Sequence, residues 1–171
     1  MPAGYEYHLD YRVIDAAAWD HVTLVDLEHY LQRAAQIPND LRGAVEYLDL
    51  SEALSVQVNS VGALQLVPWY EHLVDRGIRG SVIYAPNDQI FEVASTIMTN
   101  CALVLGGLPD GYRLSRTPVA LRNVHHFLEQ ATPAATVPSV RHLNSAHGCP
   151  RCVRRSGTRS SVKRREGPLC Q

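Results

Sequence analysis

The sequence lacks an apolar run long enough to cross a membrane, and it lacks the features of a secretory leader. A membrane-spanning helix needs about 18 or more consecutive apolar residues, and the 171-residue chain contains no such run. The first residues, MPAGYEYHLDYRVID, have neither a basic start nor an apolar segment. We therefore expect a cytoplasmic protein that does not bind a membrane.

Cysteine is scarce, and the common motifs of catalysis and phosphate binding are missing. The chain has 4 cysteines, and without a secretory leader a disulfide framework is not expected. The stretch VLGGLPDG at 104–111 does not match a G-x-G-x-x-G loop that opens a helix. No Ser–His–Asp spacing stands out. These absences favour a protein that is not an enzyme and needs no cofactor, although a catalytic site assembled in space stays open as an alternative.

Charge is divided unevenly along the chain. Residues 1–130 carry 8 Lys and Arg against 16 Asp and Glu, a net charge of −8, whereas residues 131–171 carry 8 against 1, a net charge of +7. The second stretch is rich in Pro, Ser and Arg and has few large apolar residues, so it cannot bury enough surface to offset chain entropy. We predict a folded domain over 1–130 and a disordered basic tail over 131–171.

Apolar periodicity within 1–130 alternates between the strand pattern and the helix pattern. Such alternation predicts an α/β fold, a single layer with a mainly parallel sheet and helices. Asp49 is expected to end a buried strand, and Pro68 is expected in the first turn of a helix that Gly77 follows. The predicted strands lie near 7–13, 44–49, 80–85 and 111–114, and the predicted helices near 22–36, 68–76, 88–99 and 118–129.

Several stretches in this order resemble the STAS domains of bacterial anti-sigma-factor antagonists. YLDLS at 47–51 is similar to a family strand that ends in Asp-Leu-Ser, and NSVG at 59–62 is similar to the Asp-Ser-x-Gly motif that opens a helix. GIRGSVIYAPNDQIFEVASTI at 77–97 is similar to the family's next strand, its proline-containing turn and the following helix. YRLSRTPVALRNVHHFL at 112–128 resembles the short closing strand and helix.

The resemblance implies a regulatory protein that binds another protein, such as a kinase-like anti-sigma factor, in a bacterial signalling pathway. It makes Ser60 a candidate phosphoacceptor, although Asn59 stands where the phosphorylatable members have Asp. It also implies a partner-binding surface that includes Asp49, Asn59, Ser60, Gly62 and Asn87. A small-molecule or lipid-binding module of the same fold, with its pocket between sheet and helices, is the alternative.

The residues alone leave three interpretations of Ser60. It can be a phosphoacceptor at a helix N-terminus, where backbone N–H groups and the helix dipole favour added negative charge. Asn59 or Ser60 can instead serve only as the cap of that helix. In the third interpretation NSVG is a turn, and the helix begins later, at Pro68.

The C-terminal segment offers two further candidate sites. A C-x2-C pair with preceding histidines can bind zinc, but the histidines are loosely placed, so the site is a weak alternative. The basic run 151–165 can meet an acidic surface or nucleic acid by charge, yet it lacks interleaved aromatic residues, so nucleic-acid binding is not expected. The four possible zinc ligands are His142, His147, Cys149 and Cys152.

Overall fold

A computed structural model describes residues 2–106 and 110–130 of the chain. The tail predicted from residue 131 onward, with its candidate zinc ligands His142, His147, Cys149 and Cys152, lies outside the described residues. The strands are β1 (Ala3–His8), β2 (Val13–Thr23), β3 (Val45–Gln57), β4 (Gly80–Tyr84) and β5 (Tyr112–Ser115). The helices are α1 (Leu24–Ala34), α2 (Ser60–Asp75), α3 (Asp88–Leu105) and α4 (Val124–Glu129), with a short 3-10 turn, Leu121–Asn123, before α4.

The five strands form one sheet in the order β1-β2-β3-β4-β5. β1 pairs with β2 in the antiparallel sense, and the other three pairs are parallel. The predicted α/β class with a mainly parallel sheet is therefore confirmed. None of the helices within the described ranges has both the length and the apolar content needed to cross a bilayer.

The sheet has an apolar core on each face. The larger core lies under α1, α2 and α3 and includes Ile14 and Leu48 from the sheet. The smaller core lies under α4, where Val124 and Leu128 pack with Val82 and other sheet residues. Side chains alternate between the two faces along each strand, so β3 contributes to both cores.

The predicted strand near 7–13 is wrong, because this stretch contains the turn of a hairpin. β1 ends at His8, and β2 begins at Val13. In the turn, Arg12 has a left-handed backbone with φ 51°, and its amide donates to the Leu9 carbonyl at 3.3 Å. The apolar alternation continues through the turn, but Leu9 is 63% exposed and packs in neither core.

β3 continues well beyond its predicted end. The expectation that Asp49 ends the strand is wrong, because β3 pairs with β2 as far as Gln57. β4 accompanies β3 only from Val45 to Asp49. The second half of β3 therefore forms a two-stranded extension with β2, and the chain reaches NSVG only after this extension.

α2 begins at Ser60, not at Pro68 as predicted. Pro68 lies inside the helix, where it removes the hydrogen bond that its amide would donate to the carbonyl of Leu64. Both Leu64 and Pro68 are exposed, so solvent can reach that carbonyl. The proline is tolerated because it falls on the solvent side of the helix.

The remaining helices differ from prediction mainly at their ends. α1 begins at Leu24, after the cap residue Thr23, whose hydroxyl and backbone N–H form a capping box with Asp26. α3 runs on to Leu105, well beyond the predicted end near 99. α4 begins only at Val124, because the residues from 118 to 123 form a loop and the 3-10 turn.

We predict that Gly77→Ala destabilises the domain by about 2 kcal/mol or more. Gly77 has φ +100°, which costs about 1–3 kcal/mol for a residue with a side chain. An added Cβ would also lie 2.7 Å from the Cα of Arg42. Gly106→Ala is the control, since Gly106 has φ +72° and an added Cβ would meet no atom of the described residues within 4 Å. Urea unfolding should show a larger loss of unfolding free energy for Gly77→Ala than for Gly106→Ala. Equal losses would contradict the predicted clash between the added Cβ and Arg42.

Candidate functional site

Asn59 caps the start of α2. Its backbone is extended, with φ −94° and ψ 174°, and its side-chain Oδ1 accepts a hydrogen bond from the Gly62 amide at 2.7 Å. The Asn59 carbonyl accepts the first helical bond, from the Ala63 amide at 2.8 Å. A side-chain oxygen at this position satisfies one of the free N–H groups of the first turn. Asn59 therefore caps the helix with its neutral side-chain amide, and this is a structural role.

Ser60 is the first residue of α2 and is exposed. Its hydroxyl has no hydrogen-bond partner among the described residues, so the cap is Asn59 alone. The first turn of α2 contains no acidic residue. An anion at this position would meet the positive end of the helix dipole without a neighbouring negative charge in that turn. Of the three interpretations of Ser60, the turn before a later helix is excluded.

Gly62 is buried where α2 begins beside α1. A Cβ built on Gly62 would lie 3.2 Å from Leu24 Cδ2 and 3.4 Å from Asn59 Oδ1. The first contact is tighter than ordinary van der Waals packing, so a larger residue would push against α1 and against the cap. The absence of a side chain at Gly62 thus lets the cap and the start of α1 approach each other.

The solvent side of the first half of α2 is uncharged and mostly apolar. Val61 is 70% exposed and Leu64 is 46% exposed, and Gln65 and Pro68 are exposed on the following turn. Residues three and four apart lie on the same side of a helix. We call Val61, Leu64, Gln65 and Pro68 the outer face of α2. The first charged residue of α2 is Glu71, so no charge interrupts this face.

Asn87 is the cap of α3. Its Oδ1 accepts hydrogen bonds from the amides of Gln89 at 2.9 Å and Ile90 at 3.2 Å. The neighbouring Asp88 carboxylate pairs with Arg116, whose guanidinium lies 4.2 Å from the ring centroid of Phe91. Asn87 and Asn59 thus play the same structural role at the starts of two helices.

Asp49 lies apart from the start of α2. Its carboxylate accepts a hydrogen bond from the Ser51 amide at 2.7 Å. Leu48 and Leu50 belong to the core under α1, α2 and α3, whereas Tyr47 belongs to the core under α4. By alternation Asp49 faces the α4 side of the sheet, where its charge helps to raise the pKa of Asp15 after the larger effect of burial.

A buried carboxyl that the sequence interpretation did not single out lies at the centre of the larger core. Glu46 of β3 is 1% exposed. Its Oε1 accepts a hydrogen bond from the Tyr30 hydroxyl at 2.5 Å, and its Oε2 accepts one from the Tyr70 hydroxyl at 3.4 Å. The Ser81 hydroxyl also donates to Oε2. One side chain of β3 therefore joins α1, α2 and β4.

Burial decides the protonation of this cluster. It raises the pKa of Glu46 above its ordinary value of 4.5, although the hydroxyls of Ser81, Tyr30 and Tyr70 act in the opposite direction. The buried Cys101 thiol of α3 lies near the same carboxyl, and burial together with Glu46 raises its pKa to about 11. Within the described ranges no Lys, Arg or His forms an ion pair with Glu46.

A small apolar cavity lies between the sheet and the three helices. It has a volume of about 30 Å³ and is lined mainly by Leu, Ile, Val, Ala and Met side chains. Tyr30 and Tyr70, the two tyrosines that bond Glu46, also line it. One water molecule needs about 10–15 Å³ on this measure, so the cavity has room for roughly two waters.

Catalytic and metal arrangements are limited in the part of the chain that the structure describes. His21 Nδ1 lies 2.9 Å from Ser55 Oγ on the exposed β2–β3 extension, where no described acidic side chain bonds the second ring nitrogen. This pair is not part of the cavity lining. No group of three or more His, Cys, Asp or Glu side chains in residues 2–106 and 110–130 could hold a metal ion.

No protein-family model, no curated protein and no solved structure matches the chain.

We predict that Asn59→Ala lowers the free energy of unfolding by about 1 kcal/mol, the usual cost of losing an N-cap side chain. Asn59→Asp keeps the accepting oxygen and adds a charge that the helix dipole favours, so it should be neutral or stabilising. The control is Ser60→Ala, which should leave stability nearly unchanged. Urea titration followed by circular dichroism measures all three; an equal loss in Ser60→Ala would mean that its hydroxyl shares the cap.

Proposed function

We propose that the chain is a non-catalytic, STAS-like protein-binding module of a bacterial regulatory pathway. It would act in the cytoplasm, as the anti-sigma-factor antagonists that it resembles are expected to do. The observation that carries the proposal is the outer face of α2, an exposed apolar surface that begins beside the exposed Ser60. The resemblance implies a helix that begins at NSVG, followed by a strand, a helix, a strand and a helix. The structure has these elements in this order, as α2, β4, α3, β5 and α4.

The outer face of α2 is suited to a protein partner. Surface helices normally carry polar and charged residues on the solvent side, whereas residues 60–70 of α2 contain no charged side chain. Burying exposed side chains such as Val61 and Leu64 against a partner would gain about 25 cal/mol for each Å² of apolar surface removed from water. Charged residues are depleted at the cores of protein interfaces for the same reason.

In this proposal Ser60 regulates the contact. A phosphate adds a charge of about −1.5 to −2, and the N-terminus of α2 stabilises it through the helix dipole. The same charge at the edge of an apolar interface would have to be desolvated when the partner binds, so binding would weaken. Asn59 keeps the cap neutral, so a phosphate at Ser60 would meet no acidic neighbour at that position.

The cavity does not favour the ligand-binding alternative. Pockets for drug-sized molecules have volumes of about 300–1,000 Å³, whereas this cavity has about 30 Å³. Its polar lining groups, the hydroxyls of Tyr30 and Tyr70, already bond Glu46.

The first test is a charge placed on the outer face of α2. A partner is captured from extracts of the native host with the tagged full chain, identified by mass spectrometry, purified and titrated by calorimetry. Val61→Asp and Leu64→Asp should each weaken its binding by about tenfold or more, because the new carboxylate would be desolvated in the interface.

Leu103→Asp is the matched control for this test. Leu103 is 56% exposed on α3, so it undergoes the same chemical change on the surface of another helix. Its affinity for the captured partner should stay within about twofold of the unmodified chain, and circular dichroism should show all three variants folded. Equal affinity in all variants would place the interface elsewhere, and capture of no specific partner would remove the support for the proposal.

The second test concerns Ser60. Ser60→Ala should keep the affinity for the captured partner, whereas Ser60→Asp should lower it by about tenfold or more, equivalent to about 1.4 kcal/mol. Ser51→Asp, at an exposed serine of β3, adds the same charge away from α2 and should have no effect. Equal binding by Ser60→Ala and Ser60→Asp, with no phosphate at Ser60 in host-derived protein, would leave Ser60 with a structural position only.

A further inference from the structure

Glu46 is an unusual residue to find at the centre of a core. Carboxylates are almost never fully buried unless a cation pairs with them, yet the groups that contact Glu46 are hydroxyls. The Tyr30 hydroxyl of α1 and the Ser81 hydroxyl of β4 bind opposite oxygens, and the Tyr70 hydroxyl of α2 lies 3.4 Å from Oε2. The carboxyl therefore connects three elements, and no positive charge in residues 2–106 and 110–130 pairs with it.

The cavity lies beside this cluster and shares its two tyrosines. Apart from Tyr30 and Tyr70, its lining is apolar, with residues such as Leu66 from α2 and Met98 from α3. An apolar cavity of this kind stays dry, because water gains few hydrogen bonds in it. A charge that forms at Glu46 would make water in the cavity favourable, since water bound near the two tyrosine hydroxyls could solvate the carboxylate.

We infer that Glu46 is a proton-dependent switch that controls how tightly α1 and α2 pack on the sheet. With the proton bound, the neutral carboxyl donates one hydrogen bond to the oxygen of a partner hydroxyl and accepts the others, and this arrangement closes the core. When the proton passes to solvent, no cation among the described residues pairs with the carboxylate. Water then enters the cavity beside Tyr30 and Tyr70, and the two helices loosen. This inference does not depend on the identity of any protein partner.

The groups that face Glu46 do not compensate its charge. They are Tyr30 from α1, Tyr70 from α2, Ser81 from β4 and the Cys101 thiol from α3. Each of the two tyrosines has its pKa raised well above 10.0, first by burial and then by Glu46, and the pKa of Cys101 is raised to about 11. Because burial raises the pKa values of the tyrosines and the thiol above their already alkaline ordinary values, Glu46 is the most acidic group of the cluster.

The sign of the pH dependence follows from the raised pKa of Glu46. The folded chain binds this proton more tightly than the unfolded chain, in which the pKa is close to the ordinary value of 4.5. The stability that Glu46 contributes is therefore complete below pH 4.5. It is lost as the pH rises through the folded pKa, with an increase of about tenfold in the unfolding constant for each pH unit between the two values.

The test compares the full chain with Glu46→Gln between pH 4 and 9. Glutamine keeps a carbonyl oxygen for the hydroxyl donors but cannot ionise. Urea unfolding should show that the stability of the unmodified chain falls relative to Glu46→Gln as the pH rises above 4.5, and that the loss levels off above the folded pKa of Glu46. The pKa of Asp15 is also raised, but Asp15 is present in both chains and cancels in the difference.

Hydrogen exchange separates this switch from a purely structural role. After correction for the chemical exchange rate, amides of residues 24–34 and 60–75 should lose protection as the pH rises from 5 to 8 in the unmodified chain. They should keep it in Glu46→Gln. Glu92→Gln, at an exposed glutamate of α3, is the control and should behave as the unmodified chain does. Parallel pH profiles for the unmodified chain and Glu46→Gln would overturn the inference.

A second variant keeps the inference testable if Glu46→Gln does not fold. Tyr30→Phe removes the hydroxyl that bonds Oε1 at 2.5 Å. This hydroxyl favours the ionised carboxyl, so its loss should raise the folded pKa of Glu46 further, and the decline in stability should continue to a higher pH. If the decline in stability ended at the same pH in Tyr30→Phe and in the unmodified chain, the inference would also be overturned.

Discussion

The pairing of β2 with β3 is the constraint from which the position of the candidate site follows. β3 pairs with β2 as far as Gln57, but β4 accompanies it only as far as Asp49. α2 therefore begins beyond a two-stranded extension, whereas α3 begins soon after the end of β4. The two capping residues, Asn59 and Asn87, consequently lie at different distances along the strand direction, with Asn59 beyond the two-stranded extension and Asn87 close to the end of β4. Asp49 belongs to neither cap, because it lies within β3 on the face that α4 partly covers.

The same strand holds α2 through two polar contacts that lie far apart along the helix. Asn59, just past the end of β3, caps the first turn through the Gly62 amide at 2.7 Å. Glu46, near the start of β3, accepts from the Tyr70 hydroxyl at 3.4 Å. Between these contacts the buried side of α2 is apolar. Since apolar packing is not directional, the cap and the tyrosine contact help to determine which side of α2 faces the core and which side remains as its outer face.

Much of the fold could be predicted from apolar periodicity, and the errors have local causes. The hairpin was missed because the turn sequence LDYR contains no Gly, Pro or Asn, and its one turn-forming residue, Asp10, stands within an uninterrupted apolar alternation. Pro68 suggested a helix start, although exposure on the solvent side lets it lie inside α2. The start of α2 at NSVG was one of three interpretations.

Glu46 was missed because its partners Tyr30 and Tyr70 come from two separate helices, and no spacing in the sequence brings them together. The available signal was a charged residue within the apolar run GAVEYLDLS.

The mostly apolar character of the first half of α2 on both sides is the basis of the proposed sensitivity of partner binding to a single added charge. The buried side needs its apolar residues to pack against the sheet, while the outer face has no such need and is nevertheless uncharged from Ser60 to Tyr70. An apolar surface gives affinity but little specificity, since any complementary apolar surface can cover it. In the proposed interface, specificity would come from the polar residues at the margins of this surface, which are Ser60 at one end and Glu71 with His72 at the other. Of these, Ser60 lies at the positive end of the helix dipole, where a negative charge is stabilised in the free chain and would have to be desolvated in the proposed complex.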